Sequence, residues 1–266
     1  MRTLFALAIA CLCAGTAFAQ DPAPVRPIQV GPHLSLNVTT NTVDYKVSGP
    51  ERDWGMGSRI GVIGDIPVGD NMAVVAGLDY YTLSFSDKNK AVDVTPTGSS
   101  TDKDEVFPDG TFLTTEGSFN YLALTTMFRV SNFTVGFTFG LPLTATITNS
   151  FDPQYPMPIR RNNGSNDDVY ILQKDISPPS SERSFLIEAR IGGDFPLYAN
   201  ESGSLHLLVS AAYPLTQMIS SAAGEDIVTD LGNGQKKVTT VTYLPHLNDN
   251  FRLPTLSLGV SYLFNL

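Results

Sequence analysis

The chain has 266 residues, with 17 basic against 26 acidic side chains and a formal net charge of −9, which excludes the basic face that nucleic-acid binding requires. Mean hydropathy is near zero, at +0.01. Abundant Gly, Thr, Ser, Phe and Tyr with few candidate helices predict an all-β chain.

Residues 1–19 read as a secretory signal: Arg2 in a basic start, an apolar run from Leu4 through Cys13, and Ala17-Phe18-Ala19 as an A-x-A cleavage site. The alternative of a membrane anchor needs about 20 apolar residues, and the run is shorter than that. Lipidation at Cys11 ranks second, because Ala8-Ile9-Ala10 before it lacks the usual leucine. Cleavage near Ala19 removes both cysteines and Arg2, leaving 16 of the 17 basic groups and all 26 acidic ones, a balance of −10. An exported chain without disulfides must take its stability from a closed sheet or a large core.

A proline-rich periplasmic leader follows over residues 20–31, including Asp21-Pro22-Ala23-Pro24-Val25-Arg26-Pro27, and the barrel domain is expected over 32–266. Alternation begins at His33, with Leu34, Leu36 and Val38 on one face and Ser35, Asn37 and Thr39 on the other. Around 56–66, Ser58, Ile60, Val62 and Ile66 oppose Gly57, Arg59, Gly61 and Asp65; from 72 to 85, Met72, Val74, Ala76, Leu78 and Tyr80 oppose Gly77, Asp79 and Tyr81. Residues 117–129 read as a strand of ambiguous phase, because Phe119 and Tyr121 compete with Leu122 and Leu124 for the apolar face.

The later strands are clearer. Phe133, Val135, Phe137, Phe139 and Leu141 alternate with Thr134, Gly136, Thr138 and Gly140. Phe185, Ile187, Ala189, Ile191 and Phe195 alternate with Ser184, Glu188, Arg190, Gly192 and Asp194. Leu205, Leu207, Val209, Ala211 and Tyr213 oppose Ser204, His206 and Ser210, and Leu256, Leu258, Val260, Tyr262, Phe264 and Leu266 oppose Thr255, Ser257, Gly259 and Ser261. Each run is long enough for the ~9–11 tilted residues that cross a bilayer.

Connections alternate in length. Pro67 to Asn71, Ser131-Asn132 and Tyr198 to Gly203 are tight turns, whereas 41–54, 86–116, 149–183 and 216–253 are long and polar. The pattern predicts an eight-stranded antiparallel transmembrane β-barrel with short periplasmic turns and long extracellular loops, in the bacterial outer membrane and in contact with its lipid. A soluble sandwich or lipocalin-like cup is the competing all-β reading.

The segments Gly31-Pro32-His33-Leu34-Ser35-Leu36-Asn37, Gly61-Val62-Ile63-Gly64-Asp65-Ile66-Pro67-Val68 and Leu256-Ser257-Leu258-Gly259-Val260-Ser261-Tyr262-Leu263-Phe264 resemble the PorT-like outer-membrane β-barrel proteins, and more loosely the small OmpA/OmpX-type barrels. The resemblance is a pattern of strands and turns with no catalytic motif. It implies a barrel fold and permits a role in protein secretion.

Inward-facing charges are the most informative residues. Arg59, Asp79, Glu188, Arg190, Asp194 and His206 are expected to form a lumen network, since an eight-stranded barrel fills its interior with side chains and an unpaired charge there is costly. A turn around Gly69 sets Arg59 opposite Asp79, and one around Asn200 sets Asp194 opposite His206. A structural plug is the favoured reading, and a polar gate or proton path the alternative.

Catalytic, cofactor and metal sites are not expected. No G-x-S-x-G or H-E-x-x-H run occurs, so His33, His206 and His246 mark no nucleophile–base pair by sequence, and an outer-membrane lipid-modifying enzyme ranks last. Asp102, Asp104, Glu105, Asp109, Asp167 and Asp168 lack the spacing of a calcium loop and read as solvated surface. Ile227 to Leu244 reads as a hairpin around Gly232-Asn233-Gly234 that extends the sheet and offers an edge to envelope or surface protein partners. The expectation is a non-enzymatic surface scaffold or secretion-associated component, with a small-solute pore as the alternative.

Overall fold

A computed structural model describes residues 26–41, 51–90, 94–96, 112–152, 159–162, 168–171, 175–176, 183–219, 224–232, 235–242 and 251–266. The signal segment 1–19, the leader up to residue 25, His246, Asp167 and the acidic run from Asp102 to Asp109 lie outside them.

Eight long strands form the wall: β1 (Gln29–Thr39), β2 (Gly55–Gly69), β3 (Met72–Lys90), β4 (Phe112–Val130), β5 (Phe133–Asp152), β6 (Leu186–Asn200), β7 (Gly203–Pro214) and β8 (Thr255–Asn265). Each pairs antiparallel with its neighbours in sequence, and β8 pairs with β1, so the sheet closes on itself. Closure leaves no edge in the wall. Following paired residues once around the ring from Gln29, through Asp65, Val75, Met127, Gly136, Arg190, Ala212 and Thr255, returns to β1 at Thr39, ten positions further on. That stagger tilts the strands and sets a lumen that side chains can fill.

Alternation runs along the strands, with one change of phase on β5, where a bulge at Leu143 puts Leu141 and Leu143 outside but Ala145, Ile147 and Asn149 inside. Leu36, Ile60, Leu78, Phe137, Ile191 and Leu258 all face outward and exposed, while Asn37, Arg59, Asp79, Thr138, Arg190 and Ser257 are buried in the lumen. A water-soluble sandwich would bury the first set against a second sheet; here it forms a continuous apolar exterior around a closed ring, as a bilayer requires. Aromatic side chains flank this belt, with Phe133, Tyr198 and Phe264 exposed toward the short-turn end and Trp54, Phe185 and Tyr213 toward the other. The ambiguous strand takes a definite phase: Leu122 and Leu124 are exposed, and Phe119 and Tyr121 are buried.

The hairpins at one end are tight, turning at Asp70-Asn71, Ser131-Asn132 and Glu201-Ser202. Ser131 adopts a left-handed φ of 54°, as the first residue of a two-residue hairpin matched to strand twist often does. Because the hairpins turn at Asp70-Asn71 and Glu201-Ser202 rather than about Gly69 and Asn200, with the bulges at Pro67/Gly69 and Pro196/Tyr198 each taking back one residue, both expected registers slide by two residues. Arg59 therefore pairs with Tyr81 and Asp79 with Gly61; Asp194 pairs with Leu208 and His206 with Pro196. The slide is even, so every side chain keeps its face.

Three further corrections concern boundaries. β1 starts at Gln29, so the sheet includes three residues placed by sequence in the leader. β3, β4 and β5 run 19, 19 and 20 residues, carrying the wall well into the segments expected to be loops 86–116 and 149–183. Gly224–Gly232 and Gln235–Thr242 do pair as a hairpin, but they extend no wall strand: with Asp168–Ile171, Ile159–Asn162 and Val94–Pro96 they make a separate five-stranded sheet, with Gly224–Gly232 at one edge.

Candidate functional site: the packed lumen

The lumen is stratified. At the short-turn end, Arg129 near the end of β4 reaches two strands in each direction, to Asp65 on β2 and to Asp194 on β6, the latter at 2.6 Å. Asp194 also meets His206 Nδ1 at 2.5 Å, and His206 Nε2 lies 2.7 Å from Ser204 Oγ. All five side chains are buried.

Above them, Asp79 joins β1 to β2. Its Oδ1 meets His33 Nδ1 at 3.1 Å and its Oδ2 meets Arg59 Nε at 3.0 Å. Arg59 also donates to Thr125 Oγ1 at 2.6 Å, and its guanidinium lies 4.8 Å from the centre of the Tyr81 ring. Arg190 approaches the same ring at 6.0 Å, donates to Ser210 Oγ at 2.8 Å and pairs with Glu188 at 3.3 Å. Tyr81 OH lies 3.3 Å from the other Glu188 oxygen, to which it donates. The quadrupole of the ring attracts both guanidinium groups.

The mouth away from the short turns is closed by an apolar cluster: Tyr81, Leu83, Phe85, Phe119, Tyr121, Ile147 and Leu186 from the wall, with Met218, Ile219, Phe251 and Leu253 from the β7–β8 connection. This corrects the placement of 216–253 as wholly extracellular loop. Its two ends fold inward, joined by a hydrogen bond from Met218 N to Phe251 O at 3.1 Å, and Ser184 N donates to Met218 O at 3.2 Å. Burial of so many large apolar side chains, each stabilising by about 1.5–3 kcal/mol, holds the insert in place.

All six residues expected in the network lie buried in the lumen. They divide into the Asp194–His206 pair, the Arg59–Asp79 pair and the Arg190–Glu188 pair rather than one chain. Arg129, Asp65, His33 and Tyr81 complete these groups. Arg129 escapes a sequence reading because its strand is the one of ambiguous phase; setting Leu122, Leu124 and Phe128 outward would have turned it in. The apolar plug has no periodic signature, since its key residues precede or follow strands.

One constellation does appear that no sequence motif announces. Ser204, His206 and Asp194 line up as hydroxyl, imidazole and carboxylate with hydrogen-bond spacing. Arg129 holds the same carboxylate, and the Ser204 hydroxyl also faces Gln29 Oε1 at 3.4 Å, so both ends of the row are engaged in the packed lumen. Nucleophilic catalysis would also need oxyanion donors about 3 Å from a reacting atom.

A closed ring of eight tilted strands, an apolar belt with aromatic flanks and an ion-paired interior define a small transmembrane β-barrel of the outer-membrane type. No protein-family model matches the chain, and no curated protein sequence matches it. Among solved structures it is similar to Ail, the attachment invasion locus protein of Yersinia pestis, at 8% identity and a TM-score of 0.38, covering 90% of this chain and 99% of that one. It is also similar to the outer membrane protease OmpT from Escherichia coli, at 8% identity and 0.34, covering 93% and 99%. A major outer membrane protein from Thermus thermophilus gives 14% and 0.37, covering 88% and 99%. At such identities and scores the likeness transfers no activity to this chain.

Proposed function

We propose that the protein is a non-enzymatic surface scaffold of the bacterial outer membrane, its belt in contact with lipid and its loop sheet presented to envelope or surface protein partners. The observation that carries this reading is the filled lumen: an ion-paired tier and an apolar plug contributed partly by the chain's own β7–β8 connection. Such packing among the described residues narrows the room for a solute path, which favours the scaffold over the small-solute pore. What remains available for recognition is the second sheet. Its edge strand Gly224–Gly232 has a free pairing side among the described residues, the kind of site to which an extended partner segment adds by main-chain hydrogen bonds.

The resemblance to PorT-like barrels favours partners belonging to a secretion assembly. Deleting residues 224–242 tests the scaffold role. The barrel should still fold, shown by heat-modifiable migration on a gel, while partners cross-linked to the intact protein in whole cells are lost. Retention of the same cross-links after deletion would overturn the reading.

A further inference from the structure

Between the Arg129 clasp and the Arg59–Tyr81–Arg190 tier lies a cavity of about 50 Å³. Its lining includes Ser35, Ser257 and Arg190, and Ser35 Oγ, Ser257 Oγ and Arg190 Nε are each buried without a hydrogen-bond partner. Leaving a buried donor or acceptor unmade is costly, so several such atoms around one void mean that something polar fills it. A water needs at least ~10–15 Å³ and two to four polar partners, and the cavity meets both conditions for a few molecules.

A second cavity, of about 220 Å³, lies at the short-turn end and is lined by Arg26, Gln29, Asp65 and Arg129. Asp65 and Arg129 belong to this vestibule, whereas Asp194, on the other side of the Arg129 guanidinium, lines the inner cavity. Arg129 thus lines the vestibule and grips Asp194, a lining residue of the inner cavity.

We propose that the lower lumen holds a chamber of ordered water bound by Ser35, Arg190 and Ser257, and that the Arg129 clasp on Asp65 and Asp194 closes it toward the vestibule. This rests on the filled-lumen reading, with the apolar plug as the seal above. The ligand is water itself. Glu188, Arg190, Asp194, His33 and His206 surround or adjoin it, so the bound molecules link the upper and lower ion-paired groups without a direct contact between them.

The test uses thiol chemistry, which is clean because the only cysteines are at positions 11 and 13. Ser257→Cys is introduced into the folded barrel, alone and with Arg129→Ala, and each is exposed to a small charged methanethiosulfonate. The single variant should react slowly, and loss of the clasp should raise the rate at least roughly tenfold, as expected when a barrier to local opening is removed. Arg129→Lys should restore part of the protection. Equal rates with and without Arg129, fast or slow, would overturn the closure, and a crystal structure of the wild-type barrel with no water between Ser35 and Ser257 would overturn the chamber. Gel migration confirms that each variant folds. Bilayer conductance separates the two readings: Arg129→Ala should remain non-conducting, and stable current steps would instead break the filled-lumen reading above.

Discussion

Phe85 on β3 and Phe251, just before β8, meet edge to face with ring centroids 4.7 Å apart inside the barrel mouth. One belongs to the wall and the other to a connection that the sequence alone assigns to the outside. Their contact, with Phe119 at 6.1 Å from both, ties the insert to the lumen.

Phe251→Ala should therefore destabilise the barrel by about 3–5 kcal/mol, the usual cost of emptying a buried aromatic site. Urea unfolding in detergent micelles, followed by the fluorescence of the single tryptophan, Trp54, measures it. A change below about 1 kcal/mol would mean the insert adds little to stability.

Arg59 and Asp79 are both buried and 3.0 Å apart. Arg59→Met leaves Asp79 with His33 as its remaining ion-pair partner and should cost about 3–5 kcal/mol, the range for breaking a buried pair from one side. Combining it with Asp79→Leu should recover a large part of that loss, since no uncompensated carboxylate remains. Strict additivity in the double-mutant cycle would show that the two residues are not coupled.

The outward face should respond to charge according to depth. Phe137, midway along the outward-facing run Phe133–Leu141 of β5, should lose about 2–4 kcal/mol on substitution by Arg, whereas Leu197, near the short-turn end of β6, should lose only about 0–1 kcal/mol. Reversible unfolding from lipid vesicles compares them. Equal small losses at both sites would argue that this face meets water rather than hydrocarbon.

Ser204→Ala tests the hydroxyl–imidazole–carboxylate row. In a structural role the variant folds with normal heat-modifiability and loses about 0.5–1.5 kcal/mol, the net worth of an ordinary hydrogen bond. A fluorophosphonate probe should leave Ser204 of the wild-type barrel unlabelled. Labelling at Ser204, absent from a His206→Ala variant, would make it a nucleophile and end the non-enzymatic reading.

Much of the fold is legible from alternation, because a strand with two solvents writes a period of two into its residues. Arg59, Asp79, Glu188, Arg190, Asp194 and His206 could be turned inward on that basis, and all six are buried in the lumen. Their pairings needed more. The Arg59–Asp79 and Asp194–His206 contacts form even though neither pair is directly opposed: turn position and a bulge together set the register of each hairpin, and long side chains reach diagonally.

Residue order by itself determined which side chains face outward on the clearly alternating strands, where the tight turns fall and that the chain is all-β, since these are local consequences of side-chain period and turn chemistry. Only the tertiary structure decided how far the ring staggers, which distant charges meet across the lumen and that Met218, Ile219, Phe251 and Leu253 turn inward to cap it. Those features depend on strand register and on the empty space a closed barrel must fill, and neither quantity exists until all eight strands are joined.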